Sequence, residues 1–313
     1  MNDTLLVVRP GAIGDALLAC PALAALRAAS PGTTVMFLAH PSVRQLVLLE
    51  GLADRFFSRD GPEADALFAP SLALARERVG AIRAAVAWSA DPGARLATNL
   101  AALGAEPLLI APSRPLETSG KHAAQFLIDT LAPLGIRAGA EDWPGFRLAW
   151  CPGGAPRKPT SSTRPLVVLH PGSGSPSKNW PAERFVALGA TLWKECHARL
   201  RVAAGAADGP ALRAFAQSAE FPYETLLGRP LEELALLLSS CDLYVGNDSG
   251  VSHLAGMCGA PTVALFGPTD PRLWRPLGPR VTVLRAEPLD CLGEDDVATV
   301  GFRLLSQAAT AAP

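Results

Sequence analysis

The chain has 313 residues, 49% of them hydrophobic and 18% charged, with a formal net charge of −1. That length accommodates about two domains at ~150 residues each, and the composition excludes global disorder. The near-neutral balance argues against a nucleic-acid partner gripped through a strongly basic face. Positive charge is carried overwhelmingly by Arg; Lys occurs only at Lys121, Lys158, Lys178 and Lys194. The cysteines (Cys20, Cys151, Cys196, Cys241, Cys258, Cys291) form no C-x-x-C pair, which points away from a zinc site or disulfide framework and toward a reducing cytosol. Met1-Asn2-Asp3-Thr4 runs straight into a strand-like segment without a basic n-region, and no apolar run approaches the ~20 residues needed to span a bilayer.

In chain order, Leu5-Leu6-Val7-Val8 is a short continuous apolar run, the signature of a strand buried on both faces of a parallel sheet. The loop Arg9-Pro10-Gly11-Ala12-Ile13-Gly14-Asp15 follows, then a helical pattern that Pro21 kinks or restarts near Cys20. Thr34–Leu38 and Ala84–Trp88 read as further strands. Cys151 to Thr163 has the composition of a linker, rich in Pro, Gly, Ser and Thr. Leu166-Val167-Val168-Leu169-His170-Pro171-Gly172 then echoes the start of the chain, so two similar α/β halves are expected, 1–155 and 165–313, joined by 156–164. The cleft between them is the default ligand site. In the second half a helix fits Pro181 to about Ala198, with Pro181 at its first position. Strands fit Leu200–Ala204, Leu243–Val245 and Thr262–Phe266, and helices fit Leu231–Leu238 and Val251–Cys258. This alternation implies βαβ units.

Polar loops at the strand ends carry the chemistry. Gly11 and Gly14 let the backbone approach a ligand closely. Asp15 falls in the first helical turn, and on residue type alone it is best read as an acid complementing the dipole. The segment is not a dinucleotide fingerprint, because G-x-x-G-D is not G-x-G-x-x-G. In the second loop Ser173, Gly174 and Ser175 precede Lys178, together a phosphate clamp without a Walker A pattern. His170 reads as structural. Gly246-Asn247-Asp248-Ser249-Gly250-Val251-Ser252-His253 carries a strand into a helix start, a ready anion site. Capping is the alternative role for Asp248 and Ser249, and core packing for His253.

Three stretches resemble glycosyltransferase family 9, the ADP-heptose:lipopolysaccharide heptosyltransferases and their relatives. They are Gly11-Ala12-Ile13-Gly14-Asp15, Pro171-Gly172-Ser173 through Lys178-Asn179-Trp180-Pro181, and Asn247 to Ala255 with Phe266-Gly267-Pro268-Thr269-Asp270-Pro271. The resemblance implies the GT-B architecture: two Rossmann-like domains with parallel sheets facing a central cleft, acceptor on the N-terminal domain and nucleotide-sugar on the C-terminal one. The last helix would pack back on the N-terminal domain. Asp15 becomes the general base of an inverting transfer. Lys178, Ser173 and the Ser249-Gly250 helix start would stabilise the departing diphosphate, His253 and Asp248 would order that loop, and the nucleobase would sit near Leu227-Gly228.

No D-x-D pair occurs, so neither a metal nor a cofactor is required beyond the donor, expected to be ADP-linked. Where the family places a ribose-binding Glu, this chain has Ala206-Ala207-Asp208-Gly209, with Asp208 the nearest substitute. Arg44, Arg55, Arg59 and Arg114 are candidates for an anionic glycan or glycolipid acceptor, with peripheral contact at the cytoplasmic face of the inner membrane. Two rival functions remain: a nucleotide-sugar epimerase, and a non-catalytic member that binds nucleotide or glycan.

Overall fold

A computed structural model describes residues 3–137, 143–151 and 164–310, the side chains of 308–310 excepted. Most of the expected linker, residues 156–163, therefore lies outside the described residues. The chain divides into two compact units, Met1–Trp143 and Pro144–Pro313. The division falls ahead of the boundary at 155 expected from composition, because the segment before the linker is built into the second unit. Leu148 N–H donates to Met257 O at 3.0 Å and Gly278 N–H to Pro144 O at 2.8 Å. Cys151 Sγ also lies 3.6 Å from Cys258 Sγ.

The first unit holds β1 (Thr4–Val8), β2 (Thr34–Ala39), β3 (Arg55–Ser58), β4 (Ala84–Trp88) and β5 (Leu108–Ala111). They form a parallel sheet in the order β3-β2-β1-β4-β5. All of β1 and the interior of β4 are buried, as their uninterrupted apolar sequence requires of a sheet covered on both faces. After β1 the chain enters the Ile13–Leu18 helix, breaks at Ala19, and restarts as Cys20–Ala29 with Pro21 in its first turn. A proline there costs no hydrogen bond, because the first helical N–H groups have no partner inside the helix.

The second unit holds β6 (Leu166–His170), β7 (Arg199–Ala204), β8 (Tyr223–Leu227), β9 (Leu243–Asn247), β10 (Thr262–Phe266) and β11 (Val281–Arg285). Again the sheet is parallel among the described residues, in the order β11-β10-β9-β6-β7-β8. This is the doubly wound arrangement: the winding direction reverses between β6 and β9, and in the first unit between β1 and β4. In such sheets ligands bind beyond the carboxyl ends of the strands at the reversal.

The helix after β6 runs Ala182–Cys196, with Pro181 as its N-cap rather than its first residue, and His197 in left-handed conformation closes it. The final helix, Glu294–Thr310, is seated in the second unit's core at its start: Val297 and Ala298 are buried with Leu243, Val245, Val263 and Leu265. Its start is fixed there as well, since Arg184 Nη1 donates to Glu294 Oε2 at 2.6 Å.

Candidate functional site

In the first unit the loop after β1 is organised around Asp15. Its Oδ2 accepts the Ala12 N–H at 2.9 Å, and its Oδ1 accepts from Arg9 Nη2 at 3.0 Å. As the third residue of its helix, Asp15 reaches back to the N-cap N–H, the acid's half of a capping box. Gly11 permits this: a Cβ there would lie 2.5 Å from the Asp15 Cβ. Each carboxylate oxygen retains accepting capacity after these bonds, and the side chain stays 11% exposed. Gly14 lies within the same helix, one residue ahead of Asp15.

Two of the four arginines singled out in the sequence come to this loop. Arg59 Nη1 donates to Gly11 O at 2.7 Å, and the exposed Arg114 places Nη2 3.9 Å from Asp15 Oδ2. Arg55 instead lies over the Phe57 ring, 5.5 Å from its centroid, and Arg44 opens an exposed face of the Arg44–Leu49 helix. Arg9 is the residue that sequence reasoning missed. Burial pushes its pKa down, the Asp15 charge opposes that shift, and the Arg114 charge adds to it.

The second unit brings three loops together where its sheet reverses. Lys178, in the loop after β6, donates from Nζ to Asp248 Oδ2 at 2.7 Å. Thr269 Oγ1, after β10, donates to the same oxygen, also at 2.7 Å. The buried Asp248 therefore sets the position of the only ammonium that the Gly/Ser-rich loop carries. Ser249 is the N-cap of the Gly250–Met257 helix, its Oγ accepting the Ser252 N–H at 3.3 Å. The capping reading thus holds for its hydroxyl. What remains for an anion is the helix terminus itself, whose first N–H groups, of Gly250 and Val251, have no acceptor within the helix.

Asn247, the last residue of β9, fastens the Lys178 loop at both ends. Its Nδ2 donates to Pro171 O at 2.9 Å and to Gly172 O at 3.2 Å, and its Oδ1 accepts the Trp180 N–H at 2.9 Å. Trp180 is itself buried and donates from Nε1 to Leu292 O at 2.9 Å. Within the loop, the Ser173 Oγ lies 2.7 Å from Ser175 O and 2.6 Å from Asn179 Oδ1 and accepts the Ser175 N–H at 3.2 Å. The expectation of a hydroxyl aimed at phosphate is revised accordingly: a buried hydroxyl with partners inside its own turn shapes the loop. Gly174, next to it, is exposed, and nothing lies within 4 Å of where a Cβ would be.

Asp208 is also turned inward. Its Oδ2 accepts the Gly205 N–H at 2.7 Å and contacts His170 Nε2 at 3.0 Å. Burial acts to raise the Asp208 pKa, but the His170 hydrogen bond and charge and the Gly205 N–H outweigh it, leaving the group below its ordinary value. His170 Nδ1 meets Ser249 Oγ at 3.2 Å. The imidazole thereby ties the ends of β6, β7 and β9 together. Asp208, expected to face a ribose, is instead an internal brace, because Gly172 leaves it room: a Cβ at 172 would lie 2.1 Å from Asp208 Oδ1.

His253 is buried within the Gly250–Met257 helix. Leu227 and Gly228 sit at the carboxyl end of β8, on the same sheet edge as the other loops but two strands from β6. Leu227 keeps 61% of its surface exposed.

Known proteins resemble this chain at three levels. The family model for glycosyltransferase family 9 (heptosyltransferase) matches residues 129–299, more than half of the chain. Lipopolysaccharide heptosyltransferase 2 of Salmonella typhimurium is 33% identical over 131 residues, covering 40% of this chain and 37% of that protein. Lipooligosaccharide heptosyltransferase 2 of Haemophilus influenzae is 32% identical over 130 residues, 39% of this chain and 37% of its own length. The match thus spans well under half of these curated relatives.

Two solved structures share the whole fold. A glycosyl transferase family 9 protein from Veillonella parvula superposes with a TM-score of 0.77 at 21% identity, over 98% of this chain and 99% of that one. The E. coli heptosyltransferase WaaC with ADP gives 0.72 at 19% identity, over 96% and 99%. The α/β fold with two parallel sheets is the one that GT-B glycosyltransferases have. By fold and by family match, the chain belongs to glycosyltransferase family 9.

Proposed function

We propose that the protein is an inverting glycosyltransferase that moves a sugar, heptose from ADP-heptose, to a hydroxyl of a lipopolysaccharide-type acceptor. The observation that carries this reading is the Lys178–Asp248–Thr269 set beside the helix start at Gly250. An ammonium with one N–H held by Asp248 keeps two for a ligand, and a capped helix offers N–H groups beside it. Those are the pre-placed donors that a departing diphosphate needs as its charge grows. Lysine and the helix terminus supply positive charge without calling on a metal ion. Gly174 leaves the loop open to the phosphates, and Leu227 with Gly228 offers an apolar platform for the base.

In the transfer, Asp15 takes the proton of the acceptor hydroxyl as that oxygen forms its bond to the anomeric carbon. The bond from that carbon to the diphosphate oxygen breaks, its electron pair leaves with ADP, and the sugar inverts. A general base of this kind contributes ~10²–10⁴ in rate.

The test is a thermal-shift series with ADP, UDP, GDP and ADP-heptose, followed by mass-spectrometric detection of heptose transfer to heptose-deficient lipopolysaccharide, with and without EDTA. A ligand that binds only the folded state raises its melting temperature. ADP and ADP-heptose should give the largest shift, and transfer should survive chelation. An isomerised nucleotide-sugar formed without acceptor would replace this reading with an epimerase, and binding without any product would leave a non-catalytic binder.

A further inference from the structure

We infer that Arg9 is a positioning residue for Asp15, fixing the direction in which its carboxylate receives the acceptor proton. This rests on the reading above, in which Asp15 is the base.

Arg9 directly follows β1, and its N–H still donates to Leu38 O at 2.8 Å, so its backbone stays anchored to the sheet. Only 1% of the residue is exposed. Its guanidinium grips Asp15 twice, from Nη2 to Oδ1 at 3.0 Å and from Nε to the main-chain oxygen at 3.4 Å. The Ala12 N–H holds the other carboxylate oxygen at 2.9 Å. Fixed from two sides, the carboxylate has little freedom to rotate.

A side chain needed only to fill this space would be apolar, since burying a cation carries a desolvation cost that an apolar residue avoids. Guanidinium is also the group whose planar fork can reach a carboxylate oxygen and a carbonyl together, which a lysine's single ammonium does less well. Orientation of this sort matters because a reacting pair displaced by about 1 Å can lose ~10²-fold in rate.

The experiment compares wild type, Arg9→Met, Arg9→Lys, Asp15→Asn and the Arg9→Met/Asp15→Asn double variant, with ADP-heptose as donor and heptose-deficient lipopolysaccharide as acceptor. Arg9→Met should lower kcat at least tenfold while KM for ADP-heptose stays within about twofold. Arg9→Lys should recover part of the loss, and it carries the test if the methionine variant does not fold. The double variant should be no slower than Asp15→Asn alone, the mark of a residue acting through Asp15. Near-normal kcat in Arg9→Met, or losses that multiply in the double variant, would overturn the inference while leaving the base assignment standing. A wild-type protein that transfers to no acceptor removes the base assignment and this inference together.

Discussion

Replacing Asn247 by leucine tests whether one buried amide holds the Lys178 loop in place. Leucine keeps the branched four-atom skeleton of asparagine but with bulkier methyl groups, so the change leaves no cavity, removes the hydrogen bonds and adds some crowding. Three backbone groups then lose their partner: the Pro171 and Gly172 carbonyls and the Trp180 N–H. Each orphaned buried group costs about 1–3 kcal/mol. Taking the low end, because water can reach a loop that loosens, the sum is about 3 kcal/mol. For a unit of this size 1 kcal/mol moves the melting temperature by about 2–4 °C, so a drop of roughly 6–12 °C is expected by calorimetry. With the loop untied, Lys178 no longer keeps its station on Asp248, and calorimetric titration should show ADP binding at least tenfold weaker. A melting temperature within about 2 °C of wild type together with unchanged ADP affinity would refute the reasoning, because the amide would then be dispensable to both the fold and the ligand.

Two further outcomes follow from Asp208. Its folded-state pKa lies below the ordinary value of 3.8. Its contribution to stability is therefore complete above that value and is lost as pH falls through the lower folded one. Asp208→Asn should flatten the acid limb of stability against pH in urea unfolding below about pH 4; an unchanged limb would remove Asp208 as its source. Gly172→Ala would set a methyl group 2.1 Å from Asp208 Oδ1, forcing the carboxylate off His170 and Gly205. The melting temperature should fall, and Asp208→Asn in the same background should add little further loss; fully additive losses would show that the two residues do not act on one another.

The frame of the fold was legible because its central strands are buried on both faces. β1, β6 and β10 are continuous apolar runs, and the ends read from sequence fall within a residue or so of those observed. β3 and β11 escaped, since an edge strand need not hide its side chains: Arg55 is exposed and β11 is only half buried with Arg285 exposed. Lys178 could be singled out because the chain uses so few lysines, yet its partner Asp248 lies 70 residues away. Sequence therefore named both members of the pair without showing that they meet. Asn247 and Arg9 gave less signal still, each a polar residue at the end of an apolar run where a strand would stop in any case. Asp208 was misdirected for a steric reason: whether a carboxylate faces outward or inward depends on the space left by Gly172, which is set by folding alone.

The Asp248 carboxylate has a consequence for how a ligand is chosen. A lysine already matched by a neighbouring anion projects little field beyond a few ångströms, and ordinary salt screens the remainder within ~8 Å. Negatively charged solutes would feel no long-range pull toward Lys178, so abundant free phosphate has no advantage of approach there. Discrimination would fall to whatever can reach contact distance and share the ammonium with its resident partner. Capture at this loop would accordingly vary little with ionic strength, whereas a basic funnel would lose its hold steeply as salt is added.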